Sequence, residues 1–269
     1  MKQTKVFFAT FFISFSIMLC CYMALYWIIG FSSPKTAGEN ARGIPLLTPD
    51  CNDSKTTLLI MRCNNADFFF LLKLNALQNK ASLVSIPADF HLSSAERTLA
   101  ESMAYAGPMQ CVQDLSRQFD ITIDYHLLCD KSSMSSMLSS FSSLKISSLE
   151  GIPQSVSSYL LKGSEYMDTT TLLGAVDMAA AVLDNPVGLE FLNLVGLKLM
   201  ENNMSNICDY ALEDIKTVFT SIDTNIGTKD IDRLRRICTF LLNNSTQFER
   251  TVLADSATAQ QEIDRMFKE

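Results

Sequence analysis

The stretch that decides the fold is Asp67–Asp89, DFFFLLKLNALQNKASLVSIPAD. Its first part, Phe68–Leu74, is apolar except for Lys73, a composition typical of a strand buried on both faces. A second apolar run, Ala81–Ile86, follows after six residues and ends at Pro87. The short connection between two apolar runs predicts an antiparallel hairpin.

The symmetry of this hairpin predicts where its two outermost aspartates lie. If the turn is centred on Gln78, Asp67 and Asp89 are equidistant from it and lie side by side at the open end. Adjacent carboxylates repel one another and attract a cation. Mg²⁺ is favoured because it binds few carboxylates and keeps several waters. The alternative is that both side chains are solvated, Asp67 at the start of a strand and Asp89 in a turn.

The N-terminal residues 1–31 differ in kind from the rest of the chain. Val6–Phe31 contains no charged side chain in 26 residues, whereas a bilayer-spanning helix needs roughly 20. The run is too long and too bulky for the core of a cleaved signal, and Lys2 and Lys5 precede it. We expect one transmembrane helix in the cell membrane, with the N-terminus in the cytoplasm and the rest of the chain outside.

The charge of the remaining chain limits its partners. All 29 acidic side chains and 20 of the 22 basic ones lie after residue 31, which gives that part a net charge of −9. This excess disfavours binding to nucleic acid or to an anionic lipid surface, because both depend on neutralising phosphates. The six cysteines in this part have no CxxC spacing, so a zinc site is not indicated. They are compatible with disulfides or with small buried side chains.

Strands and helices alternate over residues 55–255, between a linker at 32–54 and a tail or terminal helix at 256–269. The alternation predicts an α/β fold with a mixed sheet flanked by helices, an αβα sandwich. Ser93–Glu96 has the pattern of a capping box and predicts a helix from there to Ala106. The other predicted strands are Thr56–Met61, Ile121–Leu128 and Phe248–Leu253. The other predicted helices are Pro108–Phe119, Thr170–Leu183, Val187–Met200, Ile207–Thr220 and Lys229–Leu242.

Sequence patterns of common enzymes are missing. The sequence contains no GxSxG, Walker, HExxH or Rossmann glycine pattern. Its two histidines, His91 and His126, have no evident triad partners. We expect His91 to be a polar lining residue beside the Asp89 turn and His126 to be structural.

Several segments in order resemble the LytR-CpsA-Psr (LCP) family. They are Asp67 with its apolar run, Ser85-Ile-Pro-Ala-Asp89, Met103-Ala-Tyr-Ala-Gly107, Ile123-Asp-Tyr-His126, Leu161–Asp168 and Thr224-Asn225-Ile226. The resemblance covers about residues 55–255. It implies an extracytoplasmic enzyme that transfers glycopolymers from a polyprenyl-pyrophosphate carrier to peptidoglycan. It also implies an apolar tunnel for the polyprenyl tail, arginines that hold the pyrophosphate, and aspartates, here Asp67 and Asp89, that hold magnesium.

The arginines that the family uses are largely missing here. Ala88 stands where the family has the arginine of its Ser-Ile-Pro-Arg-Asp segment, and no arginine occurs from Gln118 to Asp232. The loss of three charge-assisted hydrogen bonds to phosphate removes about 5–9 kcal/mol. The cations that remain as candidate ligand-binding residues are Arg62, Lys162 and Arg97.

Three functions are compatible with these observations. The leading hypothesis is an anchored LCP-like protein of cell-envelope assembly without catalysis, a binding or scaffold subunit for a polyprenyl-linked glycan or for an active LCP paralogue. The second is an active magnesium-dependent phosphotransferase of the glycopolymer-ligase type with a rebuilt site. The third is an unrelated anchored module for sensing or adhesion.

Overall fold

A computed structural model describes residues 49–63, 67–139, 144–145, 166–167, 173–174, 176–177, 185–209, 219, 222–253 and 256–268, all within one compact unit, residues 44–269. The main sheet has six strands: β1 (Ser54–Arg62), β2 (Asp67–Asn75), β3 (Lys80–Ile86), β6 (Tyr125–Cys129), β9 (Asp223–Thr224) and β10 (Gln247–Val252). Their spatial order is β10-β3-β2-β1-β6-β9. Two small strand pairs are β4 (His91–Leu92) with β5 (Arg97–Thr98), and β7 (Leu144–Lys145) with β8 (Tyr166–Met167).

Six described helices accompany the sheet. They are α1 (Leu99–Ala106), α2 (Pro108–Phe119), α3 (Lys131–Ser139), α4 (Asn185–Asp209), α5 (Thr228–Asn243) and α6 (Ser256–Ile263). A π-helical turn, Asp264–Lys268, continues α6. The predicted terminal helix and the last strand are therefore confirmed.

Strand direction defines two edges of the sheet. The strands β1, β3, β6 and β10 run the same way, and β2 and β9 run against them. We call the end where the four parallel strands finish the carboxyl edge. It includes Arg62–Cys63, Asp67, Pro87–Phe90 and Asp130. The opposite end, with the turn that joins β2 to β3, is the hairpin edge.

The predicted hairpin is confirmed, but its centre is not at the predicted position. Asn75 pairs with Lys80, so the turn between them has an even number of residues and no single central residue. The same register places Asp67 level with Ala88, and the predicted pairing of Asp67 with Asp89 is wrong. Both aspartates nevertheless lie at the carboxyl edge.

Side-chain hydrogen bonds fix this turn. The Asn75 amide Nδ2 donates to Gln78 Oε1 at 2.6 Å, and the Gln78 backbone N–H donates to Asn75 Oδ1 at 3.2 Å. Asn79 ends the turn with a φ of 54°, a left-handed conformation that asparagine tolerates better than most residues. The turn is thus set by polar side chains, which strand periodicity does not reveal.

The capping box predicted at Ser93–Glu96 is wrong. These residues form the turn between β4 and β5, and Glu96 has a φ of 54°. The helix begins at Leu99, where Thr98 Oγ1 accepts from the Glu101 N–H at 3.2 Å and Glu101 Oε2 accepts from the Thr98 N–H at 2.7 Å. The same sequence pattern occurs twice, and the pairing of β4 with β5 selects the second occurrence.

Helix α4 is longer than predicted. The prediction that one helix ends at Met200 and another begins at Ile207 is wrong, because α4 is continuous over Asn185–Asp209. Pro186 lies in its first turn, where a missing N–H leaves no hydrogen bond unmade. The predicted helix Thr170–Leu183 lies mostly outside the described residues.

Alternate residues of the central strands face two helical layers. One core lies between the sheet and α1, α2 and α6, and includes Leu58, Ile60, Phe69, Leu71, Val84, Ile86, Leu115, Phe119 and Ile263. The other lies on the α4 face, and includes Phe68, Phe70, Leu83, Leu189, Leu192 and Val195. Helix α5 packs at the hairpin edge through Ile237, Cys238 and Leu241. The predicted αβα sandwich is confirmed.

The predicted anchor, residues 1–31, and most of the predicted linker lie outside the described residues. The end of that linker is not irregular, since Cys51–Asp53 form a short 3-10 helix and β1 begins at Ser54. In the part of the chain that the structure describes, no helix is both long and apolar enough to cross a bilayer.

Candidate functional site

The carboxyl edge gathers ionisable side chains from four segments. The end of β1 supplies Arg62 and Cys63, the start of β2 supplies Asp67, the turn after β3 supplies Asp89, and the residue after β6 is Asp130. In sheets with parallel strands flanked by helices, ligands bind at the carboxyl ends of the strands. This edge is therefore the candidate site.

Arg62 and Asp67 form an ion pair across the ends of β1 and β2. They are direct partners in the strand register, with Arg62 Nε 3.6 Å from Asp67 Oδ1. The arginine side chain is 50% exposed and the aspartate side chain 24% exposed. Burial raises the pKa of Asp67 above its ordinary value, and the Arg62 charge opposes that rise. One predicted metal ligand thus has one predicted phosphate ligand as its neighbour.

Cys63 lies in an electronegative part of the same edge. Its free thiol has a pKa raised to about 11, mainly by burial and then by the charges of Asp177 and Asp67, while Lys131 opposes the rise. Lys131 Nζ lies 2.6 Å from Asp177 Oδ2, so this lysine is itself paired with a carboxylate. A thiol with so high a pKa is a poor nucleophile at neutral pH.

Asp130 caps the start of helix α3 and lies within the electrostatic field of Arg62. Its Oδ1 accepts from the Ser133 N–H at 2.7 Å, a local cap that fixes the side chain. Hydrogen bonds from Ser133, and to a smaller degree the charge of Arg62, lower the pKa of Asp130 below its ordinary value. Arg62 therefore lies within the field of two carboxylates, Asp67 and Asp130.

The turn after β3 is held on the first turn of α1. The Phe90 N–H donates to the Pro87 carbonyl at 3.1 Å, and the Ala100 N–H donates to the Ala88 carbonyl at 2.8 Å. The Ala88 side chain is partly buried and packs against the core between the sheet and α1 and α2, whereas Asp89 is exposed. The position that resembles the family's arginine is thus filled by a small apolar side chain.

Arg97, the third candidate cation, is bound to a buried carboxylate. Its Nε lies 3.3 Å from Asp114 Oδ2, and its guanidinium lies 4.8 Å from the centre of the Tyr105 ring. Asp114 has no solvent-exposed side-chain surface, and it also accepts hydrogen bonds from Ser102 Oγ at 2.9 Å and Gln110 Nε2 at 2.8 Å. Arg97 thus compensates a charge inside the fold.

Sequence reasoning missed Asp114, although a signal exists. Asp114 lies on α2 between Cys111 and Leu115, and these two residues are also fully buried. An acidic residue within an apolar helical stripe requires a partner, because an isolated buried charge is very unfavourable. Arg97 is the nearer partner at 3.3 Å, and Arg117 of the same helix is a second one at 4.0 Å.

The two histidines lie in different strands. His91 is exposed in β4, opposite Thr98. His126 is buried in β6, with Nε2 3.6 Å from Asp223 Oδ1. Lys162 lies outside the described residues. Among the residues that are described, no three His, Cys, Asp or Glu side chains are grouped to hold a metal ion, so a magnesium site at Asp67 and Asp89 stays a prediction.

Comparison with known proteins identifies the family. The LytR_cpsA_psr family model matches residues 46–178, which include the strands β1 to β8 and the candidate site. This segment belongs to the LytR_cpsA_psr family. The LCP resemblance is therefore confirmed, and the alternative of an unrelated module loses its support. No curated protein matches the sequence significantly.

Solved structures share the LCP-like fold. TagT bound to LI-WTA is 15% identical with a TM-score of 0.62, over 86% of this chain and 97% of that chain. The ywtF protein from Bacillus subtilis is 15% identical with a TM-score of 0.61, over 84% and 92%. The Lin1025 protein from Listeria innocua is 18% identical with a TM-score of 0.56, over 74% and 82%. At identities of 15–18% these likenesses show that the chain shares this fold.

Proposed function

We propose that this chain is a membrane-anchored, extracytoplasmic LCP protein that binds a polyprenyl-linked glycan, or supports an active LCP paralogue, without transferring the glycopolymer itself. The proposal is carried by one observation, the excess of carboxylates over cations at the carboxyl edge. The family's reaction requires that a pyrophosphate be held where these side chains meet.

The charges of the described edge are unfavourable for a pyrophosphate. Arg62 is paired with Asp67 at 3.6 Å, and Lys131 with Asp177 at 2.6 Å. Asp130 adds a further carboxylate. A polyphosphate that enters this edge has to displace carboxylates from both cations and then lie beside them. Like charges at such distances repel, so the edge favours a neutral or cationic group over an anionic one.

The residue at position 88 adds to this deficit. An arginine there supplies a charge-assisted hydrogen bond of about 1.5–3 kcal/mol, whereas Ala88 supplies none. Arg97 does not compensate, because moving it to the edge leaves the buried Asp114 with only the exposed Arg117, whose Nη1 lies 4.0 Å from Asp114 Oδ1. The strands and turns that form the edge are therefore present, whereas the side chains that could bind phosphate are missing or already paired with carboxylates.

An apolar face of the sheet adjoins these charges. The α4 face of the sheet is lined by Phe68, Phe70 and Leu83, and it continues to Met61 and Cys63 at the carboxyl edge. The family places the polyprenyl tail between sheet and helices. We propose that this face takes the tail, and that binding is driven by apolar contact instead of by phosphate recognition.

A second candidate is the active transferase. It is favoured by Arg62, a cation within 3.6 Å of Asp67. In this version Asp67 and Asp89 would hold Mg²⁺, which would supply positive charge to the phosphates, and Arg62 would be free to bind the substrate once released from Asp67. The two carboxylates suit magnesium, which keeps most of its ligands as water.

Affinity measurements distinguish the two candidates. The full-length chain in detergent is titrated with a short-chain polyprenyl pyrophosphate and with the polyprenol of the same length, each with and without Mg²⁺. The proposal expects the two affinities to agree within about tenfold, because no charge-assisted hydrogen bonds distinguish them. A magnesium-dependent preference for the pyrophosphate of more than about a hundredfold, equal to two such bonds, contradicts it and supports the transferase.

A further inference from the structure

Two polar side chains are buried in the otherwise apolar layer between the sheet and helix α4. Ser85 in β3 and Asn193 in α4 have no solvent-exposed surface. Within the described part of the chain, neither Ser85 Oγ nor Asn193 Oδ1 has a hydrogen-bond partner. An unpaired polar atom in the interior is unfavourable and uncommon, so two of them in one layer require an explanation.

The strand register places Ser85 on the α4 side of the sheet. Ser85 pairs with Phe70 in β2 and with Val252 in β10, and both partners belong to the core on the α4 face. Directly paired residues of neighbouring strands point to the same face of a sheet. The Ser85 side chain therefore points towards the helix layer, two residues before Pro87 at the carboxyl edge.

Asn193 approaches the same place from α4. Its amide Nδ2 donates to the Thr251 carbonyl at 2.6 Å and lies 3.5 Å from the Leu83 carbonyl. Thr251 directly precedes Val252, the register partner of Ser85, so the amide lies beside Ser85. The two carbonyls fix the orientation of the amide, because only its nitrogen can donate to them. The oxygen Oδ1 is therefore the end that stays unpaired.

The two unpaired atoms define the chemistry of a ligand. Asn193 Oδ1 can only accept a hydrogen bond, whereas the Ser85 hydroxyl can donate one. An alcohol satisfies both, because its O–H donates to Oδ1 while its oxygen accepts from Ser85. A pyrophosphate does not, because its ionised oxygens only accept and leave Asn193 Oδ1 without a donor.

Apolar side chains beside this pair provide a surface for a lipid tail. Helix α4 packs on β3 and β10, whereas Leu59 and Met61 on the same face of β1 are only partly buried. The helix approaches β3 most closely further from the carboxyl edge, where a Cβ at Gly196 would lie 3.2 Å from Leu83 Cδ2. In the described chain, the open direction for a tail is therefore from Ser85 across β2 towards β1.

We propose that Ser85 and Asn193 bind the hydroxyl of a long-chain lipid alcohol whose tail lies on the α4 face. The inference rests on the proposed function, which assigns a polyprenyl tail to this face, and it adds the headgroup, an alcohol in place of a pyrophosphate. The hydroxyl donates to Asn193 Oδ1 and accepts from Ser85 Oγ. Each of these neutral hydrogen bonds raises the affinity by about fivefold.

Titration of the full-length chain in detergent with two matched lipids tests the proposal. The probes are a short-chain polyprenol and its methyl ether, which has the same tail and an acceptor oxygen but no hydroxyl proton. We expect the alcohol to bind about fivefold more tightly, because only the alcohol donates to Asn193 Oδ1. Asn193→Leu, a substitution of similar size, should abolish this preference, whereas a preference caused by the bulk of the methyl group would persist.

Ser85→Ala should give a different result, because Ser85 donates to the oxygen of both probes. We expect it to weaken the binding of alcohol and ether alike by about fivefold and to leave their ratio unchanged. The variant removes an unpaired hydroxyl, so the unliganded chain should be at least as stable as the wild type. Ser82→Ala is the control, since Ser82 is a buried serine of the same strand on the opposite face, paired with Lys73. It should leave both affinities unchanged.

Three results would overturn the hydroxyl site. Equal affinities for alcohol and ether in the wild type, or a preference that survives Asn193→Leu, overturn it while the proposed function stands. If the two side chains hold only a water molecule, Ser85→Ala and Asn193→Leu change the stability of the chain but neither affinity, and this also overturns the site. A polyprenol that does not bind at all contradicts the lipid binding of the proposed function as well.

Discussion

Arg62 and Arg97, two candidate cations for phosphate binding, lie in contrasting surroundings. Arg62 faces Asp67, a partly exposed carboxylate at the open edge of the sheet, at 3.6 Å. Arg97 faces Asp114, a carboxylate with no exposed surface, at 3.3 Å. A half-exposed ion pair contributes about 0–1 kcal/mol, whereas removing one partner of a buried pair costs about 3–5 kcal/mol.

The burial of the carboxylate decides whether an arginine is available to a ligand. Arg62 can exchange Asp67 for another anion at little cost. Arg97 cannot leave Asp114 without destabilising the packing of α1 on α2. Counting basic residues in the sequence therefore overestimates the capacity of this site to hold a phosphate.

The largest expected effect comes from breaking the buried pair. Asp114→Ala removes the acceptor of Ser102 and Gln110 and the partner of Arg97. We expect the free energy of unfolding to fall by about 3 kcal/mol in urea titrations, at the lower end of the range because Arg97 is partly exposed. Gln113→Ala, on the exposed face of the same helix, is the control and changes stability by less than about 0.5 kcal/mol. Equal effects of the two variants contradict the buried role of Asp114.

The next effect comes from restoring an arginine at the carboxyl edge. Ala88→Arg adds a guanidinium next to Asp89 in sequence, at the register position level with Asp67, and we expect the affinity for inorganic pyrophosphate to rise by about 10- to 100-fold in calorimetric titrations. Ala88→Met is the control, since it has a similar length and no charge. A comparable gain with methionine means that charge at position 88 is not what the edge lacks.

A smaller effect is expected from the cap that positions Arg97. Thr98→Ala removes the hydroxyl that accepts from the Glu101 N–H, and we expect a loss of about 1 kcal/mol in thermal or urea unfolding. Ser93→Ala, at the cap position that the sequence favours, should change stability by less than about 0.5 kcal/mol. If Ser93→Ala lowers stability more than Thr98→Ala does, the helix starts at Ser93 instead.

The smallest effect concerns the exposed pair and depends on pH. Because burial raises the pKa of Asp67, the folded state disfavours its ionised form, and this penalty acts above that pKa. Asp67→Asn removes the penalty but also an ion pair that is worth less than about 1 kcal/mol. We expect the variant to be as stable as the wild type or slightly more stable at pH 7, by urea titration. Any gain in the free energy of unfolding should vanish as the pH falls through the pKa of Asp67. A decrease in the free energy of unfolding of more than about 1 kcal/mol at pH 7 contradicts the view that this ion pair contributes little.

Features that depend on an apolar pattern or on glycine and proline could be predicted from the sequence. The apolar runs that became β2 and β3, and the break at Gly107-Pro108 between α1 and α2, follow from burial and backbone geometry. The register of the hairpin could not be predicted in this way, because hydrogen bonds between Asn75 and Gln78 fix a turn with an even number of residues. The start of α1 was ambiguous because two capping patterns compete.

The candidate site was predictable only in part. The placement of Asp67 and Asp89 at one edge follows from the antiparallel pairing of β2 and β3. The ion pair between Arg97 and Asp114 depends on how α2 packs on α1. This is a tertiary contact, which no local sequence pattern predicts. The pairing of Arg62 with Asp67 follows from the register of β1 with β2, which chain order alone does not fix.

We propose that the carboxyl edge has the LCP fold without the phosphate-binding function, and a transfer assay tests this proposal most directly. The purified full-length chain is incubated with a lipid-linked glycopolymer, peptidoglycan and Mg²⁺, and glycopolymer attached to peptidoglycan is measured over time. The account predicts no transfer above that of a heat-denatured sample. Sustained magnesium-dependent transfer that is abolished by Asp67→Asn would contradict it.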